Sequence, residues 1–162
     1  MFGCKPSNLR NVVLWGNHSR RQYCDVTKLE IEGLSAQFIS QKIRELDLAS
    51  VQKTMYERGG FILEKSNGNA YISATKAIVD HLKDWYQGSD RIVSMGVVLE
   101  GEKYGVPKGL CFSLPTRCLG GGEYQVIENL ELFEEGQKRI IENRDELLKE
   151  RALVESYLPA DA

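Results

Sequence analysis

Val12-Val13-Leu14-Trp15-Gly16-Asn17-His18-Ser19 decides how the chain is read. Four apolar residues run unbroken, β-branched at the start, and stop at Gly-Asn-His. Such a run predicts a short strand buried on both faces. Gly16 ends it and lets the backbone turn or come close to a neighbour. His18 then sits at the lip of a buried strand, where a ligand crevice opens in many α/β folds. The local pattern leaves two readings of His18: a proton-transfer group at a crevice, or a histidine capped by its own turn.

On either side of this stretch the chain is polar. Residues 1–11 are short and carry Pro6, and they read as a connector with no element of its own, feeding a domain over 12–162. Beyond His18, residues 19–33 are mixed. Arg20 and Arg21 stand out, either as an anion site beside His18 or as a solvated turn. The second is preferred, because adjacent arginines in a polar segment face water.

Three helices follow in the pattern. Leu34, Phe38, Ile39, Ile43 and Leu46 keep helical spacing over 34–48. Val51, Met55, Gly59 and Ile62 form a stripe over 49–63, weakened by Gly59 and Gly60 at about 1 kcal/mol each against alanine. Those two glycines predict a close neighbour or a kink. Ser66-Asn67-Gly68-Asn69 is a turn by composition. The clearest helix runs from Ala70 to Tyr86, with Tyr71, Ala74, Ile78, Leu82 and Trp85 on one face and Gly88 as its stop. His81 lies on its polar flank.

Strands are predicted over 92–99, 109–118 and 123–128, and short connections favour antiparallel pairing. Gly120-Gly121-Gly122 is a loop and not a phosphate cradle, since no Gly-Lys-Ser/Thr and no helix follows. Residues 133–157 close the pattern as a charged helix. Phe133, Ile140, Leu147 and Val154 recur every seventh position, and Glu134/Lys138, Glu135/Arg139 and Asp145/Lys149 stand at i,i+4. Just over three heptads favours an amphipathic helix lying on the sheet over a coiled coil.

The 162 residues are enough for one domain with a sizeable core, and 42% apolar with 27% charged content is ordinary for a globular protein. A net charge of −2 argues against a nucleic-acid partner. The four cysteines, Cys4, Cys24, Cys111 and Cys118, have no metal-ligand spacing and read as free thiols. Cys111 and Cys118 should face opposite sides of their strand. Two distant histidines cannot build a hydrolytic metal site, and no run is long enough for a membrane span.

Residues 12–25, VVLWGNHSRRQYCD, resemble the active-site strand of cytosolic-type malate dehydrogenases, which read close to VIIWGNHSSTQYPD. Three further blocks fall in the same order: Glu57-Arg58-Gly59 to Trp85 with AYISATKAIVDHLKDW, then IVSMGVVLEGEKYGVP, then the helix-rich tail. The resemblance covers nearly the whole chain but only the second half of such an enzyme. It implies an α+β fold of the lactate/malate dehydrogenase C-terminal kind, a mostly antiparallel sheet packed with long helices, and a cytoplasmic protein. It implies that His18 accepts a proton from malate and returns it to oxaloacetate, with Asn17 and Ala70 adjacent to substrate. It implies NAD as cofactor, bound mainly by a missing Rossmann half whose connector is 1–11, and a homodimer through helix Ala70–Tyr86. The acid that orients the histidine and the arginines that grip the substrate belong upstream.

No GxGxxG with an acidic residue roughly 20 positions on occurs here, so no dinucleotide-binding residue is assigned, and no metal ligand either. The chain alone is therefore expected to show no turnover. Arg20, Arg21 and Cys24 depart from the family's Ser, Thr and Pro, and two added cations would disfavour the imidazolium form of His18. The competing expectation is a non-catalytic dimerisation or partner-binding module built on the same fold.

Overall fold

The computed structural model describes residues 2–157, so the last positions of the 12–162 domain lie outside the described residues. Seven strands and four helices follow in the order β1 (Leu9–Arg10), β2 (Val13–Trp15), β3 (Tyr23–Asp25), β4 (Glu30–Ile31), α1 (Ala36–Glu45), α2 (Leu48–Lys65), α3 (Tyr71–Gln87), β5 (Val93–Val98), β6 (Cys111–Gly120), β7 (Glu123–Val126) and α4 (Glu134–Val154). The fold is α+β. Every strand pair is antiparallel: the ribbons β1–β4 and β2–β3, and the three-stranded sheet β5–β6–β7.

The sheet and β2 share one core. Trp15, fully buried, anchors it with Val13, Met95, Val97, Val106, Phe112, Leu114 and Ile140. Its indole N–H donates to the buried Asp25 carboxylate at 3.2 Å, and its ring meets Tyr104 edge-on at 4.7 Å. A buried indole needs such a partner, because an unmade hydrogen bond costs more than a made one gains. A second, smaller core joins Leu29, Ile31, Ile39 and Ile43 beneath α1, with Phe2, Cys4 and Leu9 against it.

Within the stretch expected to be a connector, residues 2–11 carry elements of their own. A 3-10 turn at Pro6–Asn8 leads into β1, whose Leu9 pairs with Ile31. The apolar Phe2, Cys4 and Leu9 were too sparse to show a period, and they are partly buried against the core of Leu29, Ile31, Ile39 and Ile43. The strand at 12–15 also differs from expectation. Val12 lies outside β2, and Leu14 is only half-buried, so one face is open.

Helix capping explains where the helical stretch at 34–63 divides. Ser35 Oγ accepts the Phe38 N–H and opens α1, while Asp47 accepts the Ser50 N–H and opens α2. Gly59 and Gly60 meet neither a neighbour nor a kink: α2 is continuous, and a Cβ at either position would have nothing within 4 Å. Gly88, with φ of 85°, ends α3 as expected. The Gly120–Gly122 loop is a hairpin turn that seats the end of α3. Gly121 N–H donates to Tyr86 O at 2.7 Å, and Trp85 Nε1 donates to Gly122 O at 2.5 Å.

Cys118 is buried and Cys111 exposed, as opposite faces of β6 require. Of the three i,i+4 pairs on α4, Arg139 bonds Glu135 at 2.8 Å, whereas Asp145 pairs with its neighbour Arg144 at 2.7 Å. Only Ile140 and Leu147 of the heptad positions pack on the core; Phe133 and Val154 stay exposed. No described helix is long and apolar enough to cross a membrane, and no group of three or more potential metal ligands occurs among the described residues.

Candidate active site

β2 delivers Gly16-Asn17-His18 to an open cavity of about 380 Å³, walled by Leu14, Ser94, Gly96, Cys111 and Ser113. The strand is held there from both edges. β3 pairs with one edge, placing Val13 opposite Asp25 and Trp15 opposite Tyr23. On the other edge Gly16 exchanges both backbone hydrogen bonds with Ser113, each at 3.1 Å. Between these points Leu14 N–H donates to Ser94 Oγ at 2.8 Å, and Ser113 Oγ donates to Leu14 O at 2.7 Å. Two serine hydroxyls thus satisfy a backbone that no strand covers, which leaves the Leu14 side chain and the turn beyond it facing open space.

His18 is exposed and its imidazole makes no hydrogen bond among the described residues. The turn is closed by Ser19 instead, whose N–H donates to Asn17 O at 2.8 Å and whose Oγ accepts the Arg21 N–H at 3.1 Å. The histidine is not capped by its own turn; both ring nitrogens are available to a ligand. A group of this kind can accept a proton as neutral imidazole or donate one as imidazolium.

The polar residues after His18 are committed to α4. Ser19 Oγ donates to Glu146 at 2.6 Å, and Arg21 lies 3.4 Å from Glu146 and 3.9 Å from Glu142. Arg21 is therefore half-exposed and paired with two carboxylates, while Arg20 is solvated, as a surface turn requires. Arg21 is thus ion-paired to Glu142 and Glu146 of α4 and is not an isolated cation beside the turn. Cys24, the third departure from the family pattern, is buried in β3, and burial pushes its thiol up to about 11, so it is no nucleophile at neutral pH.

The two residues expected beside the substrate lie in different places. Asn17 lines the cavity, but its side-chain amide turns to Glu150 at 3.4 Å. Ala70 is the half-buried residue preceding α3 and does not line the His18 cavity. Ser94, Ser113 and Asn143 are contributors that sequence reading passed over. A serine inside each of two apolar strands, and an asparagine between Ile140 and Leu147 on an apolar stripe, were the available signals.

A larger cleft of about 630 Å³ lies elsewhere, between the loop of the β5–β6 hairpin and α4. Its cations are spent, Lys103 on Glu128 and Arg144 on Asp145, and it does not include His18. Among the described residues no helix opens on a glycine-rich loop after a strand, and the one run of three glycines is the β6–β7 turn.

The site is thus an α+β domain presenting an exposed, unbonded histidine at a strand end. The chain belongs to the lactate/malate dehydrogenase family: residues 1–157 match its α/β C-terminal domain. It is 33% identical over 160 residues to the cytoplasmic malate dehydrogenase of Zea mays, covering 94% of this chain and 47% of that protein. With the cytoplasmic malate dehydrogenase of Caenorhabditis elegans the identity is 36% over 163 residues, 91% of this chain and 47% of that protein. The malate dehydrogenase of Naegleria fowleri superimposes with a TM-score of 0.81 at 32% identity, over 96% of this chain and 47% of its own. The fold is shared by the Trichomonas vaginalis lactate dehydrogenase solved with NADH and oxamate, with a TM-score of 0.77 at 23% identity over 95% of this chain and 48% of its own. The chain spans about half the length of the relatives it matches.

Proposed function

We propose that this chain is the substrate-side half of an NAD-dependent malate dehydrogenase of the cytoplasm, interconverting malate and oxaloacetate. The observation that carries the reading is the exposed, unbonded imidazole of His18 at the end of β2, in a cavity with room for a small hydroxy acid. NAD, held by a dinucleotide-binding half outside this chain, would supply the hydride chemistry. His18 takes the proton from the substrate hydroxyl in one direction and returns it to the carbonyl oxygen in the other. The Gly16–Ser113 bridge and the two serine hydroxyls hold the strand that aims it. Asn17 stands at the mouth of the cavity, and Ala70, at the start of α3, is the second residue assigned beside the substrate.

The test is an oxaloacetate-dependent NADH oxidation assay on this chain alone, and on this chain co-expressed with the N-terminal half of the Zea mays enzyme. The chain alone should be inactive, and the complex, isolated by size exclusion, should turn over. Turnover by the chain alone would overturn the division of labour. An isolated complex without activity would overturn the enzyme reading.

A second reading, a partner-binding module, has one observation in its favour. α3 buries no residue, and Tyr71, Ile72, Ile78, Leu82 and Tyr86 are 51–89% exposed along it. Apolar exposure of that extent on one helix marks an association surface. The same face would serve the homodimer expected of the enzyme. Sedimentation should show a dimer for the unchanged chain and a monomer for Ile78→Glu; a wild-type monomer at micromolar concentration would remove the proposed interface.

A further inference from the structure

We propose that Asn143 is the positioning residue for His18: from α4, its side-chain amide fixes the backbone on both sides of the histidine. The proposal rests on the reading of His18 as the proton-transfer group. The imidazole makes no hydrogen bond among the described residues, so it cannot hold its own orientation. Its aim is inherited from the turn that carries it.

Asn143 reaches that turn at two points. Its Oδ1 accepts the Asn17 N–H at 3.1 Å, one residue before the histidine. Its Nδ2 donates to Arg21 O at 2.6 Å, three residues after it, and to Arg139 O within α4 at 2.9 Å. The residue is fully buried, with 0% of its surface exposed. It stands in the apolar stripe of α4, between Ile140 and Leu147, where a hydrocarbon side chain would pack without the cost of burying an amide. An amide at that place is explained by what it binds. Gly16 supports the same conclusion from the other side: a Cβ there would lie 2.3 Å from Asn143 Oδ1 and 2.4 Å from its Cγ. The glycine of the Gly-Asn-His turn is the space that admits Asn143.

The outer contacts are of a different kind. Ser19 to Glu146 is a part-buried single bond and Asn17 Nδ2 to Glu150 an exposed one, and each holds a side chain of the turn rather than its backbone. Asn143 is the buried tie, and the carboxylates flank it.

Amide exchange measured by NMR on the full 162-residue chain tests the inference directly. In Asn143→Ala the Asn17 amide should exchange roughly tenfold faster, as expected when one hydrogen bond of typical strength is lost, while the Phe112 and Val97 amides keep their rates. The His18 ring resonance should move towards that of a mobile histidine. Asn143→Asp keeps an oxygen for the Asn17 N–H and should preserve its slow exchange. A general structural role would instead speed core and turn amides together. If Asn143→Ala does not fold, Asn143→Ser is measured in the same way. An unchanged Asn17 rate in the folded variant overturns the proposal, as does equal acceleration of the core amides. In the two-half complex, Asn143→Ala should lower kcat and leave KM for NADH unchanged. The exchange result is independent of turnover, so an inactive wild-type complex would sink the enzyme reading and leave the positioning of the turn to be judged on its amides.

Discussion

Gly16→Ala is expected to destabilise the chain by about 3–5 kcal/mol, a large part of the roughly 5–15 kcal/mol that holds a domain of this size together. Two independent penalties combine. Gly16 has φ of 98°, a region that residues with a Cβ rarely adopt. The new methyl would also fall on the Oδ1 and Cγ of Asn143, at 2.3 and 2.4 Å. Asn143 cannot swing away cheaply, because its amide is short, buried and tied by three hydrogen bonds, and displacing it leaves backbone groups of Asn17 and Arg21 unpaired. Urea unfolding should therefore show a strongly lowered midpoint, or no folded state. Pairing Gly16→Ala with Asn143→Gly should recover part of the loss, since the collision disappears while the backbone strain remains. Additive losses in that double-mutant cycle would show that the two residues do not meet.

His18→Asn is expected to do the opposite: stability within about 0.5 kcal/mol of the unchanged chain, and kcat of the two-half complex reduced by roughly 10²- to 10⁴-fold. The side chain is exposed and bonds nothing, so folding has little to lose. Asparagine matches part of the imidazole's shape but cannot take up and release a proton near neutral pH, so the loss should fall on kcat and spare KM for NADH. Retained activity in His18→Asn would remove the histidine from the mechanism. A matched fall in melting temperature and activity would make its role structural.

The contrast between these neighbours reflects how α4 is used. Its length and charge suggested a helix lying on the sheet, and Ile140 with Leu147 does pack there. Asn143 within that stripe, and Glu142, Glu146 and Glu150 beside it, meet Asn17, Ser19 and Arg21. Arg21 illustrates the limit of local reading. Adjacent arginines in a polar turn were rightly placed at the surface, yet the carboxylates that neutralise one of them come from the far end of the chain.

The α3 face shows a related limit. Its helical period was plain in the sequence, but period says only that one face is apolar, not what covers it. Trp85 finds the core through the β6–β7 turn, whereas Ile78 and Leu82 remain exposed. Gly59 and Gly60 likewise suggested a close approach that none of the described residues provides.

Local pattern alone was enough for the strand that ends at Gly16, for four helices, read over 34–48, 49–63, 70–86 and 133–157 and found at 36–45, 48–65, 71–87 and 134–154, and for the opposed faces of Cys111 and Cys118. These are properties of adjacent residues, set by side-chain period and by capping within one turn. Tertiary structure alone decided that residues 9–10 form a strand, that Ser94 and Ser113 hold β2, and that Asn143 brackets the histidine turn from 126 positions away from Asn17. Such contacts satisfy buried backbone groups across the fold, and a hydrogen bond made by one residue to a distant backbone leaves no periodic trace in the sequence around either.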